Sequence, residues 1–541
     1  MMRRPATFDV AILGSGFAGS ILARVLARQG KRVLLFEQGR HPRFALGESS
    51  TPLASLSLER LAARYRLPDL YHLATYGRWT DHLPHLRRGL KRGFTFFHHR
   101  RGQPYRNGPG NEARQMVAAS PDDRIADTHW LRADVDQHLM RRAAEEGVTV
   151  HEDTRVEGVE ITADAVHLTA VRNGEPLRFS AGHVVDATGG AGVLARSLGI
   201  PRRTDAMAVD TGLLYCHAQG TRPFAECAPD AHLGDGPYPE EKAAVHHLLD
   251  VGWLYALPFD HGVTSVGLVL RNGHPDVDPD ALAADPEGGW RRLLEPYPSL
   301  WEQLRGARPV VPWRYRRRIQ HRLDRAAGRR WFHLPQGFCF VDPLFSTGMA
   351  WSLIAVERLA SLFEERFGDW RRYDHLLQRE ADQVERLVEA AYLSMDDFRI
   401  FSAVTLAYFG AVSFEEARQR LRPAQVGEPP DPWRGFLGAG DPIIESLFAD
   451  LGDRLRGSSS PGRDGQRDRD GQRDRDGQSD RDGFTPWILR ALSPRDVAGL
   501  DRPAAPNLFP VDLDILVERA DLLGLRPEAV SAALPRLRGD A

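Results

Sequence analysis

The sequence of 541 residues predicts an α/β protein with a helical C-terminal region, and two patterns support this fold class. Residues 9–13, DVAIL, form a short apolar run typical of a buried strand, and a glycine-containing turn and an apolar helix follow it directly. Residues 349–456 show apolar residues at the spacing of amphipathic helices. The α/β part therefore comes first, and we expect the helices to pack across one face of it.

The turn after the first strand, GSGFAG at residues 14–19, has the G-x-G-x-x-G spacing of a dinucleotide-binding site. Glycines permit a tight turn close to a pyrophosphate, whose charge the N-terminus of the next helix, residues 20–29, stabilises. A second strand, residues 32–36, ends in Glu37, where an acid would hold an adenosine ribose. The sequence thus predicts a Rossmann-type domain whose cofactor contacts include Gly14, Gly16, Phe17, Ala18, Gly19 and Glu37.

Composition limits the possible partners. A hydrophobic content of 42% is ample for large cores, and a net charge of -2 argues against nucleic acid as the main partner. The sequence contains neither a signal-peptide pattern nor an apolar run long enough to span a membrane. The three cysteines (Cys216, Cys227 and Cys339) lack metal-ligand spacing. We therefore expect a cytoplasmic enzyme without a metal site.

Residues 340–348, FVDPLFSTG, fill all four fixed positions of the pattern F-x-x-P-x-x-S-x-G. This string, placed after a complete dinucleotide-binding half, resembles the signature of the flavin-dependent halogenases. Residues 253–258, WLYALP, resemble the W-x-W-x-I-P motif of the same family, with Tyr255 and Leu257 in place of Trp and Ile. The resemblance covers roughly the first 350 residues and implies FAD as the cofactor.

The resemblance also implies which further residues contact FAD. Residues 41–50, HPRFALGESS, would lie along the cofactor, and a helix that opens near Arg132 would approach its extended chain. The turn in residues 184–190, VVDATGG, would return beside the adenine. Gln336 stands where most such flavoproteins have an acid, so we expect FAD to be bound loosely and exchanged readily. The further cofactor contacts implied are Gly47, Glu48, Ser49, Arg132, Val156, Ala187, Gln336, Asp342, Pro343, Gly348 and Met349.

In the family, reduced FAD, O2 and a halide ion give hypohalous acid, so the protein must bind a halide. Backbone N–H groups at a turn before a helix suit an anion because they are fixed partial positive charges. The resemblance assigns this role to Thr347 and Gly348, and it places Ser346 among the catalytic residues. The alternative is that residues 346–348 only cap the helix that follows.

A lysine between flavin and substrate holds the hypohalous acid in the family. The chain has three lysines, and Lys91, in a K-x-G-x-x-F segment, resembles the one found in phenol and pyrrole halogenases. The alternative is a basic strand end among arginines. Trp253 and Tyr255 would keep substrate away from the flavin; alternatively they are core aromatics of a hairpin that turns at residues 260–262.

Phe345 stands where tryptophan halogenases typically have a glutamate, which favours a phenol or pyrrole substrate, free or bound to a carrier protein. His98 and His99 are candidate bases by chain position; alternatively, they are solvated or hydrogen-bonded structural residues, since adjacent side chains on a strand point opposite ways. Because the sequence contains no second nucleotide-binding unit, we expect a separate flavin reductase to supply reduced FAD. Two alternatives stay open: an aromatic monooxygenase or oxidase on the same fold, and a flavin-binding protein without turnover.

The predicted organisation has four parts. Residues 1–349 form the FAD-binding lobe, with a mixed β-sheet for the substrate interleaved at about residues 50–130 and 200–330. Residues 350–456 form a helical cap, and residues 484–541 form a small helical segment. Between them, residues 457–483 repeat an Arg-Asp-Gly-Gln unit without large apolar residues, so we expect a disordered linker.

Overall fold

The computed structural model describes residues 7–365, 369–426, 431–458 and 475–539. Its strands are β1 (Thr7–Leu13), β2 (Val33–Phe36), β3 (Arg88–Lys91), β4 (Gly93–His98), β5 (Arg114–Ala118), β6 (Asp127–Trp130), β7 (Thr149–His151), β8 (Thr154–Ile161), β9 (Val166–Arg172), β10 (Glu175–Asp186), β11 (Thr211–Gln219), β12 (Ala244–Leu249), β13 (Gly252–Pro258), β14 (Val263–Arg271), β15 (Arg308–Arg316), β16 (His321–Arg322), β17 (Ala327–Gly328), β18 (Trp331–His333), β19 (Cys339–Phe340) and β20 (Leu508–Phe509).

The helices, also in chain order, are α1 (Phe17–Arg28), α2 (Pro52–Tyr65), α3 (Pro68–His72), α4 (Tyr76–His82), α5 (Arg132–Glu145), α6 (Val193–Leu198), α7 (Phe224–Cys227), α8 (Pro279–Ala284), α9 (Pro286–Leu294), α10 (Pro298–Leu304), α11 (Pro335–Phe338), α12 (Thr347–Glu364), α13 (Trp370–Ser394), α14 (Phe398–Val426), α15 (Pro442–Ser458), α16 (Arg475–Leu492), α17 (Leu513–Glu518) and α18 (Pro527–Arg538).

The first sheet has β1 at its centre. β2 and β10 flank β1 in parallel, and β7 and β18 extend the sheet in parallel on either side. Every residue of β2 is buried, as expected of a parallel strand covered on both faces. The antiparallel strands β8 and β9 join the sheet through β10. This architecture confirms the predicted Rossmann-type domain.

The second sheet has the strand order β15-β11-β14-β13-β12-β4-β5-β20. β13 and β14 form the predicted antiparallel hairpin around residues 260–262. Two pairings are parallel: β12 with β4, and β20 with β5. The last pairing was not predicted, and it means that the C-terminal part of the chain completes a sheet formed by its first half.

Helix α13 contacts α14 and α15, and it also contacts β17 of the first sheet. A buried ion pair joins α12 to α13, with Arg358 Nη1 2.8 Å from Glu380 Oε2. No helix among the described residues is long and apolar enough to cross a membrane. The cysteines Cys216, Cys227 and Cys339 are free thiols and buried.

The predicted disordered linker lies partly outside the described residues, which exclude 459–474. Its last part, residues 475–483, belongs to α16, and the prediction is wrong there. The physical reason lies further along α16, where Ile488 and Leu492 are fully buried and Phe484 and Trp487 pack against the main core. An anchored apolar end allows the helix to extend back into the polar repeat.

Candidate active site

The glycine turn between β1 and α1 has the close backbone approach that the sequence predicts. Gly14 has φ of +100°, and a Cβ built there would lie 2.7 Å from the carbonyl oxygen of Ala187. A Cβ on Gly19 would lie 2.1 Å from the carbonyl oxygen of Gly14. The turn thus packs directly against the end of β10, where the predicted adenine-side residue Ala187 lies. Only glycine fits at these two positions.

Glu37 lies at the end of β2 beside this turn. Its carboxylate accepts hydrogen bonds from the Ser15 hydroxyl (3.0 Å), the Gly39 N–H (3.1 Å) and the Arg43 guanidinium (3.0 Å). Burial disfavours the charged form, but Arg43 and these hydrogen bonds outweigh it and lower the pKa of Glu37. The acid is therefore ionised and fixed where a ribose would present its hydroxyls.

Arg132 opens α5 and joins the turn to the segment before Glu48. Its guanidinium donates to the carbonyl oxygens of Leu46 (2.7 Å) and Gly47 (3.0 Å) and to the carboxylate of Asp136 (2.8 Å). Asp136 also accepts the N–H of Phe17 at 3.1 Å, at the start of α1. A charged network therefore surrounds the helix end at which a pyrophosphate would bind.

Glu48 and Val156 contact other groups than the sequence implied. The two carboxylate oxygens of Glu48 bond to His217 of β11 (2.7 Å) and Ser265 of β14 (2.6 Å), so its side chain faces the second sheet. Val156 packs in an apolar cluster with Leu34 and other side chains of the first sheet. Any contact of Glu48 or Val156 with the cofactor would therefore involve backbone atoms, and it stays a prediction.

Three distant segments converge at the start of α12. The side chain of Gln336 lies 3.1 Å from the position of a Cβ on Gly348, and its carbonyl oxygen lies 3.9 Å from that of a Cβ on Gly189. Gln336 thus stands between the turn after β10 and the turn that begins α12. Met349, in the first turn of α12, is buried.

Ser346 is the residue before α12 and adopts the left-handed conformation, with φ of +51°. Its hydroxyl makes no capping hydrogen bond and lies 3.2 Å from the hydroxyl of Ser49. Ser346 is thus the N-cap residue, as the alternative predicts, but its hydroxyl contacts Ser49 and does not cap the helix. Thr347 and Gly348 occupy the first helical positions, where N–H groups have no intrahelical partner and suit an anion.

Lys91, at the end of β3, is fully buried. Its Nζ donates a 2.6 Å hydrogen bond to the carbonyl oxygen of Ser50 and lies 4.1 Å from the ring centroid of Phe94. Burial lowers the pKa of Lys91 to about 7, partly offset by the negative charge of Asp127. The alternative of a solvated basic strand end is wrong: the strand pairs with β6 inside the protein, and Ser50 is adjacent to the Ser49 that contacts Ser346.

A cavity of about 140 Å³ lies beside these residues. Its lining includes Phe94, Thr347 and Tyr408, and also Phe509 and Leu513 of the C-terminal segment. The cavity therefore touches both the ring beneath the Lys91 ammonium and the first residue of α12.

The comparisons with known proteins agree with this geometry. Residues 9–233 match the model of FAD dependent oxidoreductases, and residues 128–398 match that of tryptophan halogenase. Monodechloroaminopyrrolnitrin halogenase PrnC of Pseudomonas fluorescens is 30% identical over 410 residues, which is 73% of this chain and 70% of that protein. The chain belongs to the flavin-dependent halogenases. This halogenase is therefore an FAD-dependent oxidoreductase with a halide ion as co-substrate.

Other relatives support the same family. Tetracycline 7-halogenase of Kitasatospora aureofaciens is 29% identical over 415 residues, 73% of this chain and 72% of that protein. The crystal structure of halogenase PltM in complex with phloroglucinol and FAD has the same fold, with a TM-score of 0.77 at 24% identity. The structural match covers 90% of this chain and 96% of the PltM chain.

The residues of the halogenase that would hold FAD fit the group. The evidence is the pair of glycines at which any Cβ would collide with backbone, together with the ionised Glu37 and the unpaired N–H groups expected at the helix start. The side chain of Gln336 also lies within contact distance of the turn at Gly348.

Trp253 and Tyr255 are buried, and neither lines the cavity. The indole Nε1 of Trp253 donates to the Tyr392 hydroxyl (3.0 Å), which donates to Asp342 (2.8 Å). Burial raises the pKa of Asp342 to about 7. Trp253 is thus linked through Tyr392 to the segment before α12, which supports the core alternative for its ring and gives it an indirect path to the site.

Tyr255 lies on the same face of β13 as Trp253, with its ring over Gly267 of β14, where a Cβ would be 2.3 Å from the ring.

The two candidate bases, His98 and His99, both contact other aromatic rings. His99 bonds to His247 at 2.9 Å within the second hydrophobic cluster, away from the residues that line the cavity. His98 stacks on Phe398. Neither histidine lines the cavity, which favours the structural alternative for both.

Replacement of Gly19 by alanine tests the FAD groove of the halogenase. We expect Gly19→Ala to lower FAD affinity by at least roughly 10-fold, because the new methyl group collides with the Gly14 carbonyl and widens the turn. Flavin fluorescence quenching on titration measures the dissociation constant. The matched control is Gly457→Ala, at an exposed position of α15 without a positive φ and with no atom within 4 Å of its Cβ. Equal affinity of Gly19→Ala and the parent protein would contradict the assignment.

Proposed function

We propose that this halogenase chlorinates or brominates an electron-rich phenolic or pyrrole ring bound in the cavity beside Lys91. The observation that supports the proposal most strongly is the buried ammonium of Lys91, separated from the cavity by the ring of Phe94. The relatives give the substrate class: PltM is seen with phloroglucinol, and other relatives are a sulochrin halogenase and a pyrrole-2-carbonyl carrier-protein chlorinase.

Bound in its reduced form, the cofactor would supply two electrons to O2, which oxidises the halide to hypohalous acid while its second oxygen atom leaves as water. The chain supplies the rest. The N–H groups of Thr347 and Gly348 would hold the halide at the start of α12, with Ser346 fixed against Ser49. Lys91 would hold the hypohalous acid by a charge-assisted hydrogen bond and direct it toward the ring in the cavity. Its burial excludes water from this step.

Trp253 and Tyr255 act in this proposal through packing. The chain from Trp253 through Tyr392 to Asp342 holds the segment that leads into α12. Asp342, Pro343 and Met349 would then hold the turn in place for the flavin. Pro343 contributes its carbonyl oxygen, which accepts the N–H of Ser346.

The charges of the cavity restrict the substrate further. Its lining contains the carboxylates of Glu416 and Asp512 and the hydroxyls of Thr51, Thr347, Tyr408 and Ser413, and no arginine, lysine or histidine among the described residues lines it. Glu416 is held by the guanidinium of Arg420 at 2.7 Å. We therefore infer a neutral or cationic aromatic that donates an N–H or O–H group to Glu416, and discrimination against carboxylate substrates.

Substitution of Glu416 by glutamine checks this inference. We expect Glu416→Gln to raise KM for a phenol or pyrrole by roughly 10- to 150-fold, the range for loss of a hydrogen bond to a charged group. The value of kcat should change less, because the group does not contact the reacting carbon. The control is Glu415→Gln, whose carboxylate bonds to Gln419 and does not line the cavity. An unchanged KM would exclude Glu416 from substrate binding.

We also propose that a separate flavin reductase delivers reduced FAD and that the halogenase works in the cytoplasm. Free, buried cysteines are consistent with a reducing compartment. The decisive experiment supplies a reductase, NADH, FAD and chloride or bromide with phenols, pyrroles and indoles, free or as carrier thioesters. Halogenated product only when reductase is present supports the proposal. Gain of oxygen without halogen would favour a monooxygenase, and FAD binding without product would favour a non-catalytic flavin protein.

A further inference from the structure

Asp127 lies directly opposite Lys91 in the two-stranded sheet of β3 and β6. The two residues are register partners in the antiparallel pair, and both side chains are buried. Side chains that are directly opposite on adjacent strands lie close together, and opposite charges there attract. The sequence analysis did not single out Asp127, because an aspartate at the start of a strand has no motif around it.

The hydrogen bonds of the pair are incomplete. Asp127 Oδ1 accepts the Ser55 hydroxyl at 3.1 Å, whereas Oδ2 is buried without a partner. An ammonium has three donors, and among the described residues the acceptor within reach of Lys91 Nζ is the Ser50 carbonyl oxygen. A buried carboxylate oxygen without a hydrogen-bond partner lowers the stability of the folded protein. We therefore expect Asp127 to have a role that offsets this cost.

The two groups depend on each other for their charge. Burial lowers the pKa of Lys91 to about 7 and raises the pKa of Asp127 to about 7, and each charge favours the charged form of the other. The titration of each group near neutral pH therefore depends on the charge of the other, as expected of coupled sites.

The other charged and titratable groups around the pair do not replace this coupling. His129 and His246 face Lys91, and burial lowers the pKa of each to about 3, so both are neutral. Glu416 and Arg420 of α14 face Asp127, and their opposite charges act on it in opposite directions. Asp127 is thus the group that favours the ammonium form of Lys91.

We propose that Asp127 is a positioning residue that keeps Lys91 protonated behind the Phe94 ring, which lines the cavity, during halogen transfer. This rests on the proposed function. The ammonium lends a proton to the hydroxide that departs from hypohalous acid, which forms water, while the halogen bonds to the ring carbon. That carbon then loses its proton, which returns to the pair. Halogen replaces hydrogen, and the protein is neither oxidised nor reduced.

The test is the pH dependence of product formation in Asp127→Asn. Asparagine removes the negative charge that raises the pKa of Lys91, so the ammonium should be lost at lower pH. We expect the alkaline limb of the rate profile, near pH 7 in the parent, to move down by roughly 1 to 3 units, the usual effect of a nearby opposite charge. Formation of hypohalous acid, measured with a chemical trap, should be unchanged.

Two further variants make the test specific. Asp123→Asn, which alters a carboxylate paired with Lys242 and Arg92 away from the cavity, should leave the profile unchanged. Ser55→Ala removes the hydrogen bond that favours the charged form of Asp127, so it should move the limb in the same direction by less, and it replaces Asp127→Asn if that variant does not fold. A uniform loss at every pH, or an unmoved limb, overturns the inference while parent halogenation stands. A parent that halogenates no substrate overturns the proposed function and this inference together.

Discussion

Lys91→Met is expected to lower halogenated product by roughly 10²- to 10⁴-fold, the range for loss of a positioned proton donor. Methionine keeps the length of the side chain and is readily buried, so the fold should tolerate it. The hydrogen bond to Ser50 and the charge beside Phe94 are lost together. Product is measured by mass spectrometry with a reductase and halide in excess.

The measurement must separate halogen transfer from halide oxidation. FAD affinity and trapped hypohalous acid should both stay near parental values in Lys91→Met, because the glycine turn and the start of α12 do not contain the lysine. Lys242→Met is the control: its ammonium pairs with Asp123 at 2.8 Å, half-exposed to solvent, so activity should change by less than roughly twofold. Parental halogenation by Lys91→Met would remove Lys91 from the mechanism.

The parts of the fold that sequence predicted are those encoded by local patterns. The strand, glycine turn and helix at residues 9–29 need close backbone packing against β10, and only glycine permits it at Gly14 and Gly19. The hairpin of β13 and β14 is encoded by two apolar strands around one turn. Such signals are short-range, so a single sequence contains them completely.

Contacts between distant segments could not be predicted in the same way. The parallel pairing of β20 with β5 joins residues 508–509 to 116–117, and these residues line or approach the cavity. Asp127, Glu416 and Tyr392 reach the site only through tertiary packing, and none belongs to a motif. Conversely, Trp253 was expected at the substrate because of its motif, but β13 places its indole against Tyr392.

The helical region shows why the site also depends on residues far from the chemistry. α12 begins with the proposed halide-binding residues, and its middle is fixed by Arg358, which forms two hydrogen bonds with Glu380 of α13 at 2.8 and 2.5 Å. Glu380 accepts two more, from the Trp351 indole (2.7 Å) and the Phe436 N–H (2.6 Å). Every one of these donors points at a carboxylate that is fully buried.

Glu380→Gln is therefore expected to lower the free energy of unfolding by about 3 to 5 kcal/mol, the cost of leaving a buried charge without its partner. Glutamine also turns an amide N–H₂ toward donors, which leaves at least one of them unsatisfied. Denaturant unfolding followed by circular dichroism measures the change. Glu445→Gln is the matched control, since Glu445 pairs with the half-exposed Arg379 of the same helix α13 and should cost less than about 1 kcal/mol.

The double variant Arg358→Met/Glu380→Met decides what the ion pair contributes. Because burial of two charges costs desolvation, an apolar pair of similar volume should recover most of the stability that Glu380→Gln loses. If the double variant is instead as unstable as the single one, packing or the hydrogen bonds from Trp351 and Phe436 dominate, rather than the charge on Arg358. If the free energy of unfolding of Glu380→Gln is within about 1 kcal/mol of the parent value, the buried pair does not hold α12 in place. The support for the turn at Thr347 must then come from Gln336 and Ser49.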